Sequence, residues 1–90
     1  MKKRIHAYFS GKVQGVGFRF TVLRIAEDLK ICGWVKNSSD LRVEVLAEAE
    51  EDDLREFLTQ IQGHFARYIL NVDLDWSDPT NEFQDFGVKF

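Results

Sequence analysis

The chain has one cysteine, one proline and no long apolar run. The single Cys32 has no partner for an internal disulfide, which excludes a disulfide-stabilised scaffold, and we expect a buried structural thiol. No stretch of about 18 apolar residues is present, so no transmembrane helix is predicted. Polar residues interrupt the segment after the basic N-terminus, which excludes the apolar region of a signal peptide. We therefore expect a cytoplasmic location.

An excess of basic charge is also lacking, since 12 basic and 15 acidic residues give a net charge of −3. Proteins dedicated to nucleic-acid binding gain most of their affinity from phosphate contacts by basic side chains. We therefore expect no nucleic-acid partner. We also expect no membrane partner and a monomeric protein. His6 and His64 are not at ligand spacing, and we expect a structural or surface role for each. We also expect no metal site and no cofactor. The acidic cluster from Glu48 to Asp53 is interpreted as a solvated helix start.

The 90 residues are 44% hydrophobic and include 8 phenylalanines, 2 tryptophans and 2 tyrosines, which suffices for one core. No repeat, linker or low-complexity segment is visible, so residues 1–90 are predicted to form a single domain. The end of the chain at Phe90, directly after a strand, favours a standalone protein.

Hydrophobic periodicity predicts alternating elements along the chain. Period-two alternation predicts strands near residues 4–10, 33–37, 41–48, 70–76 and 86–90. Helical stripes predict one helix from Phe18 to about Lys30 and a second that starts in the acidic cluster and stops at Gly63. The order βαββαβ plus a terminal strand predicts an α+β, ferredoxin-like sandwich. In it, two helices cover one face of an antiparallel sheet.

Three of the six glycines fall within seven positions, in the stretch Gly11-Lys-Val-Gln-Gly-Val-Gly-Phe-Arg19. This stretch joins the first strand to the first helix. Glycines allow backbone N–H groups to turn toward a ligand, and a helix N-terminus and an arginine both favour an anion. The order of residues fits neither a P-loop nor a dinucleotide motif. It predicts a cradle for one phosphoryl group, with an ordinary glycine-rich connection and an exposed arginine as the alternative.

A second short motif, Gly33-Trp-Val-Lys-Asn37, ends the second predicted strand. Asparagine is a poor strand residue and a good turn residue, so a structural role for Asn37 is one interpretation. Its side-chain carbonyl can also accept a hydrogen from a water molecule and orient it. The residue types alone leave both interpretations open.

Together, the two motifs resemble the paired signature of the acylphosphatases. The resemblance covers nearly the whole chain and implies metal-free hydrolysis of acyl phosphates to a carboxylate and inorganic phosphate. It implies that Arg19 binds the phosphate, that Asn37 positions the attacking water, and that the substrate's own phosphate accepts the proton. It also implies that the phosphate lies against the backbone of four consecutive residues: Gly15, Val16, Gly17 and Phe18.

Two positions depart from the family's pattern, since Leu41 and Ala49 stand where glycine is usual. A non-glycine residue with positive φ costs on the order of 1 kcal/mol. We expect the turn to shift so that Ser39 or Asp40 takes the left-handed conformation instead.

Two alternatives remain at the level of sequence. One is an acylphosphatase-like domain that acts on carbamoyl phosphate, as occurs within larger enzymes. The other is a non-catalytic module that binds phosphate or RNA, because RNA-recognition domains share the βαββαβ order and stack bases on strand aromatics. Tyr8 and Trp34 are at outward strand positions suited to such stacking, although the basic strand motif is lacking.

Overall fold

The computed structural model describes residues 1–90 and contains five strands and two helices. In chain order these are β1 (Lys2–Gly11), α1 (Phe18–Asp28), β2 (Cys32–Asn37), β3 (Val43–Glu50), α2 (Glu51–His64), β4 (Ile69–Ser77) and β5 (Phe86–Lys89). This confirms the predicted βαββαβ order with a short terminal strand. Neither helix is long and apolar enough to cross a lipid bilayer.

The strands form one sheet in the order β4-β1-β3-β2-β5. β1 pairs antiparallel with both β3 and β4, and β2 pairs antiparallel with β3. β5 adds a parallel partner at the outer edge of β2, so the predicted antiparallel sheet is mixed at that edge. As a result, the last residues of the chain lie beside β2 and α1.

Both helices pack on one face of the sheet, as the period-two and helical patterns predict. Strand side chains alternate between the two faces, so every second residue of a strand faces the helices. The helix side of the sheet and the facing stripes of α1 and α2 contribute to a core of 20 buried residues. The largest fully buried side chains are Phe9, Phe18, Phe57, Ile5, Leu54 and Ile61.

The helix ends differ from the prediction. α1 ends at Asp28, and Lys30 beyond it has a left-handed φ of 57°. The interpretation of Gly63 as a helix stop is wrong, because α2 continues through it to His64 and Gly63 has no positive φ. α2 ends instead where Phe65 is buried, with its ring stacked 4.4 Å from that of Phe18. Aromatic packing rather than glycine geometry marks this helix end.

Glu48 was expected to belong to a solvated helix start, and this is wrong. It lies in β3 and is only 2% exposed, while the acids from Glu51 onward form the first turn of α2. The Glu48 carboxylate accepts hydrogen bonds from Thr80 N (2.8 Å), Thr80 Oγ1 (3.0 Å) and Asn81 N (2.9 Å). Arg4 Nε lies 2.9 Å from the same carboxylate as an ion pair, without the alignment of a hydrogen bond. Glu48 therefore anchors the loop between β4 and β5 on the helix-free face.

Cys32 is half-buried at the start of β2, and its Sγ lies 3.3 Å from the Glu48 carbonyl oxygen, to which it donates. Burial, aided by the negative charge of Glu48, raises the pKa of the Cys32 thiol. A protonated, partly enclosed thiol is a poor nucleophile, which fits the structural role expected for it.

Candidate functional site

The loop between β1 and α1 carries two glycines in the left-handed conformation. Gly15 has φ 79° and Gly17, the residue that precedes α1, has φ 77°. A Cβ added at either position would meet no atom within 4 Å. Glycine is therefore favoured here by backbone conformation and not by lack of space. The open space beside both residues leaves the backbone accessible to a ligand.

The backbone of residues 15–18 presents N–H groups that the protein does not use. None of these N–H groups donates a well-formed hydrogen bond to another protein group. α1 also begins without a side-chain cap and without an acidic residue in its first turn. Free N–H groups at a helix N-terminus carry partial positive charge and are suited to an anion. We call residues 15–18 the cradle.

Arg19 lies in the first turn of α1 and forms no ion pair, since no carboxylate oxygen lies within 4.0 Å of it. Its guanidinium is held by the end of the chain: Nη1 lies 3.5 Å from the Lys89 carbonyl oxygen, and Cζ lies 4.9 Å from the centre of the Phe90 ring. Both contacts leave its positive charge uncompensated.

Asn37 is the last residue of β2 and lies opposite Val43 in the pairing of β2 with β3. It shares a sheet face with the buried Val35, two residues earlier, so it points to the side on which α1 packs. Its half-buried side-chain amide has no hydrogen-bond partner in the protein. Both its donor and its acceptor are therefore available to a ligand or to water.

These groups line one cleft with a volume of about 230 Å³. No acidic side chain lines it, and Arg19 supplies its only side-chain charge. The structure thus brings together all the predicted site residues except the side chain of Val16, which packs against the core. The lining residues are Val13, Gly15, Gly17, Phe18, Arg19, Phe20 and Asn37.

The turn after Asn37 differs from the expectation. Leu41 itself takes the left-handed conformation, with φ 71° and a side chain that is 71% exposed, whereas Ser39 and Asp40 do not. The reason lies in the hydrogen bonds of Asp40, whose carboxylate accepts from the Ser38 hydroxyl, from Arg42 Nε (2.8 Å) and from Arg42 N (3.3 Å). The hydrogen bond from the Ser38 hydroxyl, together with those from Arg42, holds the pKa of Asp40 below its usual value.

Ala49, the second departure from the family's pattern, carries no such strain. It lies within β3 opposite Lys3, is 7% exposed and has no positive φ. Alanine is therefore accommodated there by ordinary strand geometry.

Besides Val13, whose buried side chain lines the cleft, four contributors to the site were not predicted from the sequence. Gln14 lies inside the glycine motif and connects the cradle loop to the turn after Asn37. Phe20 lines the cleft and is 57% exposed, although it looks like one more aromatic residue of a helix. Lys89 and Phe90 contact Arg19 across 70 residues of sequence or more. Of these four, Gln14 alone had a signal in the sequence, which was its place within the motif.

A larger hollow of about 510 Å³ lies elsewhere, between the start of α2 and the end of β4. Two basic residues, Lys3 and Arg55, and two acidic residues, Glu51 and Asp78, line it. Arg55 is paired with Glu51 at 2.8 Å and stacked on Trp76 at 4.9 Å. Volume alone would favour this hollow, but its charges compensate each other, so the smaller cleft has the chemistry of an anion site.

The model of the family described as Acylphosphatase matches residues 5–88. The chain belongs to the acylphosphatase family. An acylphosphatase of Salinibacter ruber is 39% identical over 89 residues, which cover 98% of this chain and 94% of the relative. The crystal structure of an acylphosphatase from Bacillus subtilis superposes with a TM-score of 0.89 at 30% identity and covers 98% of this chain and 99% of that one.

The same fold also occurs inside a longer protein. The structure of full-length HypF, in a phosphate- and nucleotide-bound form, matches with a TM-score of 0.89 at 26% identity and covers all of this chain but 12% of HypF. Membership of the acylphosphatase family makes the chain an enzyme with acyl phosphates as its substrate class. This decides against the non-catalytic phosphate- or RNA-binding module.

Proposed function

We propose that this acylphosphatase hydrolyses carboxyl-phosphate anhydrides in the cleft between the cradle and Asn37. In this proposal Arg19 and the N–H groups of residues 15–18 bind the phosphoryl group, and Asn37 positions the attacking water. The products are a carboxylate and inorganic phosphate, and the reaction uses no metal ion.

The observation that carries the proposal is that the cleft has a positive charge and N–H donors but no acidic side chain to neutralise them. None of the cradle N–H groups donates a well-formed hydrogen bond within the protein, and Arg19 has no carboxylate partner. Phosphoryl transfer depends mainly on positioning and on stabilising charge on the equatorial oxygens. A full positive charge and a row of N–H donors provide that stabilisation without reorganisation during the reaction.

The leaving group explains why no general acid is needed. An acyl phosphate expels a carboxylate whose conjugate acid has a pKa of about 4, so protonation by the protein is unnecessary near neutral pH. The cleft contains no histidine or carboxylate to act as a base. We propose that a phosphate oxygen of the substrate accepts the proton of the attacking water.

The free amide of Asn37 suits the orientation of that water. Its carbonyl oxygen can accept one water hydrogen and thereby direct a lone pair of the water oxygen toward phosphorus. Holding the water in line removes part of the entropic cost of the reaction. Asn37 therefore contributes to kcat more than to substrate binding.

The test is hydrolysis of benzoyl phosphate, followed spectrophotometrically, by the wild-type enzyme and two variants. Arg19→Ala removes the full charge from the phosphate site, and we expect a loss of kcat/KM of about 1000-fold or more. Asn37→Ala is expected to lower kcat by about 100-fold with a smaller change in KM. Inorganic phosphate as a competitive inhibitor reports phosphate binding separately.

Arg24→Ala is the matched control, because Arg24 lies on the same helix, is exposed and forms no ion pair. It should retain wild-type activity. Full activity of Arg19→Ala would contradict the assignment of the site, and loss of wild-type activity in the presence of a chelator would contradict a reaction without metal.

A second candidate is that this chain acts on carbamoyl phosphate as a domain of a larger enzyme. The observation in its favour is that the same fold forms 12% of the longer protein HypF. Carbamoyl phosphate carries the same phosphoryl group, so the cradle would bind both substrates. The ratio of kcat/KM for benzoyl phosphate to that for carbamoyl phosphate distinguishes the two candidates.

A further inference from the structure

Gln14 bridges the two halves of the cleft. It directly precedes Gly15 of the cradle, and its side-chain Nε2 donates to the Ser38 carbonyl (2.9 Å) and to the Arg42 carbonyl (3.0 Å). A glutamine amide has two N–H hydrogens, and both are used here. Ser38 directly follows Asn37, so one side chain connects the neighbour of the cradle to the neighbour of the water-positioning residue.

The two acceptors of Gln14 are the carbonyls that close the turn. The Arg42 carbonyl also accepts from Ser38 N (2.8 Å), and the Ser38 carbonyl also accepts from Leu41 N (3.2 Å). Within this turn Leu41 is held in the left-handed conformation, which is unfavourable for leucine. Gln14 is thus the side chain that attaches a strained turn to the cradle loop.

We propose that Gln14 is a positioning residue, which sets the distance between the cradle and the amide of Asn37. This inference rests on the proposed roles of the cradle and Asn37. Gln14 does not line the cleft and so does not touch the substrate itself. Its two hydrogen bonds fix the turn relative to the bound phosphoryl group, so that the water held by Asn37 lies in line with the bond that breaks.

The proposal predicts a specific split in the kinetics. Misplacement of a reacting group by about 1 Å can cost up to about 100-fold in rate. Gln14→Met keeps the length of the side chain but removes both donors. We expect kcat with benzoyl phosphate to fall about 10-fold or more, while the inhibition constant of inorganic phosphate changes less than about two-fold.

Two further variants complete this measurement. Gln62→Met is the matched control, because Gln62 is exposed on α2 and makes no hydrogen bond, and it should behave as wild type. Gln14→Ala introduces no extra volume and should show the same split as Gln14→Met. Loss of the folded state in both Gln14 variants, seen by circular dichroism, would overturn the proposal in favour of a stability role.

A double-mutant cycle shows whether Gln14 acts through Asn37. If it does, Gln14→Met should lower kcat by less than about two-fold in the Asn37→Ala background, because the oriented water is already lost. Fully additive losses would overturn the proposal. So would an unchanged kcat in Gln14→Met, or a rise in the phosphate inhibition constant equal to the loss of kcat.

The cycle separates this inference from the proposed function. Activity retained by Arg19→Ala or Asn37→Ala would mean that the assignment of the site has failed. Loss of activity in both of those variants, with full activity in Gln14→Met, would leave the site intact and overturn only the role of Gln14.

Discussion

Two stretches of backbone have N–H groups arranged for an anion, and only in one of them does a side chain of the protein supply that anion. In the loop between β4 and β5, the N–H groups of Thr80 and Asn81 donate to the buried carboxylate of Glu48, and Asn81 has a left-handed φ of 60°. In the cradle, Gly15 and Gly17 are also left-handed, but no acidic side chain approaches.

The presence or absence of an anion from the protein itself gives these two stretches different roles. A carboxylate that accepts several N–H groups holds a loop in place, as Glu48 does for residues 80–81. The chain supplies no such anion to residues 15–18, whose N–H groups we propose bind the phosphate of a substrate. The same backbone physics thus gives an anchored loop in one place and the proposed binding site in the other.

The strongest test of this contrast is to supply the cradle with an anion of its own. Gly17→Asp places a carboxylate at the mouth of the cleft, close to Arg19, where its negative charge repels phosphate. Asp tolerates the left-handed conformation, and a Cβ at this position meets no atom within 4 Å. We expect kcat/KM for benzoyl phosphate to fall about 100-fold and phosphate inhibition to weaken in parallel.

Gly17→Asn is the control for that substitution, since it has the same shape and tolerance of positive φ without the charge. It should lose less than about 10-fold in kcat/KM. Equal losses in the two variants would show that bulk beside the cradle, and not negative charge, is what the site excludes.

The converse test removes the charge of Glu48 from the loop between β4 and β5. Burial opposes ionisation of Glu48, but the hydrogen bonds from Thr80 and Asn81 outweigh it and lower the pKa of the carboxyl. Glu48→Gln turns an N–H group toward these donors, and we expect urea denaturation at pH 7 to show a loss of about 2 kcal/mol. Hydrolysis of benzoyl phosphate should be unchanged, because Glu48 does not line the cleft.

The pH dependence of this loss has a definite sign. The folded-state pKa of Glu48 lies below its value of about 4.3 in the unfolded chain, so its stabilisation is present above that pH and disappears as the pH falls through the folded-state pKa. The difference in unfolding free energy between wild type and Glu48→Gln should therefore decrease as the pH falls. Glu27→Gln, at an exposed position without an ion pair, is the control and should show no comparable loss of stability at pH 7.

Features set by local sequence patterns were predictable, whereas features set by contacts between distant residues were not. The stripe of Val22 and Ile25 and the alternation of Ile5 and Ala7 are local, and they sufficed for the element order and the core. The role of Glu48 was not predictable, because its partners lie 32 and 33 residues away in a loop without periodicity. Gly63 was wrongly predicted as a helix stop, because α2 continues through it and ends beside Phe65, whose packing on Phe18 is a contact between distant residues.

The residues of the candidate site also differ in how far the sequence could predict them. Arg19 and Asn37 were singled out because each lies in a short motif with its own chemistry, and the fold brings both motifs to one cleft. The supports of Arg19 at Lys89 and Phe90 depend on the parallel pairing of β5 with β2, which no local pattern encodes. The turn at Leu41 was mispredicted because side-chain hydrogen bonds of Asp40 decided which residue became left-handed.

Leu41 gives the test with the smallest expected effect, because it has a left-handed backbone conformation although it is neither glycine nor asparagine. Relief of strain in Leu41→Gly is worth about 1–2 kcal/mol, and the added freedom of glycine in the unfolded chain offsets about 0.5–1 kcal/mol of it. We expect a net stabilisation of about 0.5–1 kcal/mol in urea denaturation, with kcat within about two-fold of wild type. Leu41→Ala keeps the Cβ and loses only an exposed side chain, so it should be nearly neutral. If Leu41→Ala stabilised the protein as much as Leu41→Gly, exposure of leucine and not backbone strain would be the cost at this turn.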